Sequence, residues 1–361
     1  MSMNYFIMPG EILRDYMDER NITQKKLAQI IDSSEKHISQ VINGKAKITE
    51  EFALKLEMAF PDVKAEYWLS LENEYRLYLL RNRSVEDQRN KEIVDKYRLN
   101  DVFKDLNYDD DRKVKELLDL AGVNKIDLLD QKVSKLENTM LMHDGGNKHT
   151  IFLWLKLCEE QVEIQNDLNT FTAFDNEQFK SKLDILKKLL NTTDYMLAFK
   201  NIKKFLNSMG VGLVIQEAIP TAKVRGATTL YGNHPIIYLS TRYRRIDSIY
   251  FALLHEVYHI VEQDYLKDGY VLSYEDDERE ILSNYNAKNF FIDEEKYNEF
   301  IKKGKFTEEE IIIFSKENGV VKDIVIGRLQ FDGFIEYNQY QNLRTYIDKE
   351  GFYSVYFNIK K

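Results

Sequence analysis

The run His255-Glu256-Val257-Tyr258-His259 constrains this chain more than any other five residues. An α-helix sets residues four apart on one face, about one turn apart, so His255 and His259 can present both imidazoles to one zinc ion. Glu256, between them, is the group placed to take a proton from a zinc-activated water as it attacks a peptide carbonyl. The surrounding segment SIYFALLHEVYHIVEQ predicts a helix over about 248–263. The competing reading makes both histidines ordinary polar groups of a half-buried helix.

What precedes this helix reads as a small sheet. VGLVIQEAI, GATTLY and IIYLS are short β-rich runs, and the last two flank a turn at Gly232-Asn233-His234-Pro235. His234 in that turn reads as structural. Arg242 and Tyr243, just past the last run, can serve an oxyanion or a peptide, although a solvent-facing strand edge is the preferred reading. Cys158 is the single cysteine, so an intrachain disulfide is excluded and a metal site must use His and carboxylate ligands. His143 and His149 flank an Asp-Gly-Gly turn and are expected in a solvated loop.

At the other end of the chain, from Pro9 to about Tyr78, apolar residues recur at helical spacing between turn and cap signals. Ile12, Leu13, Tyr16 and Met17 mark a first helix; Thr23 caps a second, with Leu27, Ala28 and Ile31 inward; Ser34 caps a third, with Ile38, Val41 and Ile42 inward, ending at Asn43-Gly44. This is a helix-turn-helix layout, in which the third helix enters the DNA major groove. Ser34, Glu35, Lys36, His37 and Gln40 are then candidates for base contact, and Lys25, Lys26, Lys45 and Lys47 for phosphate contact. Between Arg20 and Lys47 six basic residues face two acidic ones, whereas the whole chain carries a net charge of -9. The acidic total excludes a protein that coats nucleic acid along its length but not one small DNA-reading domain. The plainer alternative is a helical bundle with a solvated charged face.

A length of 361 residues predicts two or three domains of roughly 100 to 200 residues each. Apolar residues at 43%, with only four prolines and fifteen glycines, indicate folded, helix-rich domains. The residues between about 81 and 204 read as amphipathic helices that space the two ends and carry no recognisable chemistry. No apolar run approaches the roughly 18 residues of a membrane span, and the first residues lack a signal-peptide pattern. A cytoplasmic protein is expected.

Two resemblances sharpen these expectations. The string from Pro9-Gly10-Glu11-Ile12-Leu13 through Gln24, Leu27-Ala28, Ile38-Ser39, Asn43-Gly44 and Tyr67-Trp68-Leu69 resembles the Xre-type helix-turn-helix of HigA-like antitoxins and related repressors. That resemblance implies a homodimer on a double-stranded DNA operator. The run GATTLYGNHPIIYLSTRYRRIDSIYFALLHEVYHI resembles the ImmA/IrrE family of metallopeptidases, over about residues 205 to 295. The family implies a glutamate on the following helix as third zinc ligand, and a repressor or antitoxin as protein substrate. A gap-free match places Leu282 at the ligand position, and leucine cannot bind zinc; Glu280 is the preferred ligand, with Asn284 orienting a histidine, and Glu278 is the alternative.

The expected fold is mainly α and multidomain. It comprises a lambda-repressor-like helical bundle over 1–80, a helical middle region over 81–204, and an α+β zincin-like domain with a small sheet over 205–361. The expected function is a DNA-binding transcriptional regulator carrying a zinc endopeptidase. The alternative is a HigA-like antitoxin or repressor whose peptidase-like domain binds or senses a partner without cleaving it.

Overall fold

Side-chain oxygens start the N-terminal helices. Thr23 accepts a hydrogen bond from the Lys26 N–H, Ser34 from the His37 N–H and Thr49 from the Phe52 N–H, each satisfying a donor that a helix start leaves unpaired. The resulting elements are α1 (Pro9–Glu19), α2 (Gln24–Ile30), α3 (Glu35–Ile42), α4 (Glu50–Ala59) and the long α5 (Ala65–Lys96). The inward positions Leu13, Met17, Leu27, Ile31, Ile38, Val41 and Ile42 join Phe52, Leu56, Phe60 and Trp68 in one core. Gly10 permits the close approach of α1 to the end of α3, because a Cβ there would lie 2.4 Å from the Val41 carbonyl oxygen.

This computed structural model describes residues 7–138, 141–143, 145–264 and 278–348, and the chain divides into two units, 1–92 and 93–361. The second unit contains α6 (Leu99–Val102), α7 (Asp110–Leu120), α8 (Ile126–Ser134), β1 (Leu141–His143), α9 (Lys148–Gln165), α10 (Asn176–Ser181), α11 (Leu183–Leu190) and α12 (Tyr195–Ser208). It continues with β2 (Gly212–Gln216), β3 (Val224–Tyr231), β4 (His234–Ser240) and α13 (Ile246–Val261). Beyond these lie α14 (Glu278–Phe291), α15 (Glu294–Lys302), α16 (Glu308–Glu317) and α17 (Lys322–Phe331). The described residues are mainly helical, with one small sheet, and none of their helices is long and apolar enough to cross a membrane.

The sheet has the order β1-β3-β4-β2. β3 and β4 form an antiparallel hairpin in which Gly226 faces Leu239 and Thr228 faces Ile237, and β2 runs parallel to β4. Alternate residues of a strand point to opposite faces, and here each face meets its own core. Val214, Ile236 and Tyr238 pack with Leu153, Trp154 and Cys158 of α9, whereas Leu213, Ile215, Ile237 and Leu239 pack with residues of α12 and α13. Burial on both faces explains why β2 and β4 read as continuous apolar runs rather than alternating ones.

Much of the middle region packs on the sheet. Residues 93–204 belong to the same unit as the sheet, with α9 covering one face and α12 contributing to the other. The expected boundaries at 80 and 204 fall inside α5 and α12, which are continuous helices.

Candidate metal centre and helix-turn-helix face

Helix α13 lies on the face of the sheet that carries Gly226 and Thr228, and it turns its histidines toward α14. His255, Glu256 and His259 are buried, at 0%, 1% and 1% exposure. On α14 the residues at spacings of three and four, Glu280, Ser283, Asn284 and Ala287, face inward or partly so, whereas Ile281, Leu282 and Tyr285 are exposed. The Leu282 side chain is thus on the outer face, and the Glu280 carboxylate arrives between the imidazoles. Glu278 opens the same helix, and its side chain lies outside the described residues.

Three ligand-type side chains converge. His255 Nε2 and His259 Nε2 are 2.9 Å apart, and the Glu280 oxygens lie 3.0 Å from the first and 3.1 Å from the second. Each imidazole is held from behind: His255 Nδ1 is 3.0 Å from Asn284 Oδ1, and His259 Nδ1 is 3.1 Å from Asp264 Oδ2 and 3.3 Å from Ser283 Oγ. Asn284 Oδ1 and Asp264 Oδ2 are acceptors, so in neutral rings they draw the hydrogen to Nδ1 and leave the Nε2 lone pairs toward the carboxylate. Two lone pairs and a carboxylate in a buried site require a positive charge among them, either protons or a metal ion.

Ionisation follows the same logic. Burial alone lowers the His259 pKa, but hydrogen bonds to Asp264 and Glu280 and the nearby carboxylate charges outweigh it and raise the pKa to about 10. Burial opposes ionisation of Glu280 too, yet the hydrogen bonds and charges of both histidines hold its carboxyl well below the usual range. For Glu256 burial dominates and pushes the carboxyl up, against the pull of His255, His259 and the Thr228 hydrogen bond.

The donor set fits zinc. Ligand atoms about 2.0–2.1 Å from a tetrahedral zinc lie about 3.3 Å from each other, close to the separations of the three donors, and two His with one Glu is an established open zinc set. Glu256 Oε1 is buried without a hydrogen-bond partner, and such an orphaned oxygen is expected where an ion or a water belongs. Glu256 is fixed on its other side, where Oε2 accepts a 2.7 Å hydrogen bond from Thr228 Oγ1. Its carboxylate also lies against Gly226, where a Cβ would come within 2.7 Å of Oε1.

Thr228, Asp264 and Ser283 are supporting residues that the sequence reading did not single out, whereas Asn284 was expected beside a histidine and is there. Asp264, five residues beyond His259 and just past the helix end, is the kind of carboxylate partner that a zinc-binding imidazole needs. The remaining sequence candidates lie elsewhere. His234 bonds the Gly210 carbonyl, Arg242 donates to the Lys223 carbonyl, and Tyr243 is flanked by the Arg225 and Arg242 guanidinium groups. His149 is half-buried against the Tyr97 ring rather than solvated, with burial lowering its pKa; the His143 side chain lies outside the described residues.

In the N-terminal unit, Lys25, Lys26, Ser34, Glu35, Lys36, Gln40, Lys45 and Lys47 are all exposed on or beside α2 and α3. His37 is half-buried, with its ring edge-on to Phe52 at 5.1 Å, which ties α3 to α4. The loop after α3 is closed by Lys45 and Ala46 N–H groups donating to the Gln40 carbonyl, with Gly44 at φ +69°.

Residues 13–68 match the family described as Helix-turn-helix. An uncharacterized HTH-type transcriptional regulator of Escherichia coli, YddM, is 30% identical over 77 residues, which cover 21% of this chain and 81% of that protein. Virulence-associated protein A of Dichelobacter nodosus is 33% identical over 70 residues, 19% of this chain and 69% of that protein. Among solved structures, the Pseudomonas aeruginosa antitoxin HigA with higBA promoter is 29% identical over 22% of this chain and 91% of that one, with a TM-score of 0.21. Through its N-terminal domain, of the HigA-like Xre type, the chain belongs to the helix-turn-helix family.

Proposed function

We propose that this chain is a DNA-binding transcriptional regulator whose C-terminal unit is a zinc-dependent endopeptidase. The observation that carries the enzymatic half is the meeting of His255 Nε2, His259 Nε2 and the Glu280 carboxylate within about 3 Å, each imidazole held from behind by an oxygen. His255, His259 and Glu280 would hold the metal. Bound there, zinc supplies Lewis acidity toward a water and toward a peptide carbonyl.

The chain's own groups do the rest. Glu256 receives a proton at Oε1, the oxygen without a hydrogen-bond partner, while Thr228 pins Oε2. Burial raises the affinity of that carboxylate for a proton, as suits a general base near neutral pH. Asp264, Ser283 and Asn284 keep the imidazoles in one orientation. The resemblance of residues 205 to 295 to ImmA/IrrE peptidases gives the substrate class as a repressor or antitoxin protein. A Glu256→Gln variant tests this half: it should keep zinc and lose hydrolysis, whereas behaviour equal to wild type in every assay would favour a partner-binding module that cleaves nothing.

The DNA-binding half rests on α3, capped by Ser34, which exposes Glu35, Lys36 and Gln40 together between the basic residues of α2 and of the following loop. An operator is a double-stranded partner for that face, with α3 in the major groove and the lysines on phosphates, and a homodimer would match a palindromic site. The proposed location is the cytoplasm, where such an operator lies.

A further inference from the structure

The strand that lies against the candidate base is covered by the chain itself. Gly226 of β3 touches the Glu256 carboxylate, and on the side of β3 away from β4 it pairs with Met142 of β1, in a register that also sets Leu141 opposite Ala227 and His143 opposite Val224. An extended polypeptide brought to Glu256 can add to the sheet through the outer N–H and C=O groups of β3, the ordinary means by which an edge strand captures a peptide. Those groups, over 224–227, are the ones β1 uses.

The cover is short and interrupted. β1 has three residues, and its register breaks between Met142 and His143. Behind it the chain is pinned, because the Asn147 N–H donates to the Thr221 carbonyl at 2.9 Å and Gly146 lies against the Ala222 carbonyl too closely for any Cβ. Ahead of it Leu136 is buried in the same core as α9. β1 is thus a brief pairing between two anchored points.

We propose that β1 is an autoinhibitory strand, which occupies the edge of β3 beside Glu256 and must leave before an extended protein segment can reach the site. The proposal rests on the peptidase reading, and its test separates the two. The full-length chain carrying Glu256→Gln, loaded with zinc, is titrated with fluorescein-labelled casein and binding is read by anisotropy. Adding Leu141→Gly, Met142→Ser and His143→Gly should tighten binding at least tenfold. In a second variant, Leu141→Cys with Ala227→Cys, oxidation should weaken binding at least tenfold and reductant should restore it; the native Cys158 is fully buried and does not compete. Equal affinity with and without the β1 substitutions, no effect of the crosslink, or no binding by any variant would overturn the proposal. Zinc content and casein hydrolysis by the Glu256 forms report separately on the peptidase reading: binding that tightens as expected without hydrolysis would sink that reading alone.

Discussion

A methyl group at position 226 is a small change that reaches Glu256. In Gly226→Ala the new Cβ would sit 2.7 Å from Glu256 Oε1, 2.9 Å from its Cγ and 3.1 Å from its Cδ, all inside ordinary contact distance. The carboxylate is also held by a 2.7 Å hydrogen bond from Thr228, in a site buried from solvent. It must therefore swing away and stretch that bond, or the strand must shift. Overpacking of this kind costs about 1–3 kcal/mol, which in a unit of this size lowers Tm by about 2–4 °C per kcal/mol. Misplacing a general base by about 1 Å costs on the order of a hundredfold in rate. The three atoms nearest the added carbon all belong to Glu256, so zinc content should stay at the wild-type value. Metal analysis, thermal unfolding and casein hydrolysis on one preparation measure the three effects. Unchanged hydrolysis would refute the assignment of Glu256 as base, and loss of zinc would refute the separation of base from ligands.

Other outcomes follow from the same geometry. The metal-free chain should lose stability as pH rises: His259 is raised from about 6.5 to about 10 on folding, so its contribution is complete below about pH 6.5 and disappears as pH passes 10. Glu280 is shifted the other way, so its contribution is present above about pH 4.3 and is lost in stronger acid. Chelator-stripped protein should therefore show a falling Tm from pH 7 to 10, with a shallower fall in Asp264→Asn; an identical pH profile in the two proteins would contradict the His259–Asp264 coupling. At the N-terminal face, binding to operator DNA should weaken steeply with salt, Lys45→Ala should reduce the salt slope by about one, and Lys36→Ala or Gln40→Ala should weaken binding and relax discrimination between sites. Salt-insensitive binding would count against the helix-turn-helix as the DNA contact.

The helices of the N-terminal unit were legible because each level of the sequence agreed. Ser34 caps α3, and Ile38, Val41 and Ile42 supply the inward spacing. The pairing of His255 with His259 was legible because a helix alone fixes it. The residues behind the imidazoles were harder to read. Asp264 and Thr228 reach α13 only after the chain has turned or the sheet has formed, so no local spacing distinguishes them from other acids and threonines. Glu280 was reached by its position near a family motif, and the reason it points inward while Leu282 does not is the packing of α14 on α13.

The packing of the middle region on the sheet does leave a signal in the sequence. Ile151, Phe152, Leu153, Trp154 and Leu155 are five consecutive buried residues at the start of α9. A helix apolar on every side belongs in the centre of a domain, not on a linker. The strand β1 left no comparable trace, because three residues are too few to establish a period.

The central claim is that His255, His259 and Glu280 hold one metal ion, and zinc content per chain tests it most directly. Wild-type protein should carry about one zinc, and His259→Ala and Glu280→Ala should each lose it while remaining folded. Wild-type protein without zinc after metal is supplied, or a Glu280→Ala variant that retains the full amount, would contradict the account.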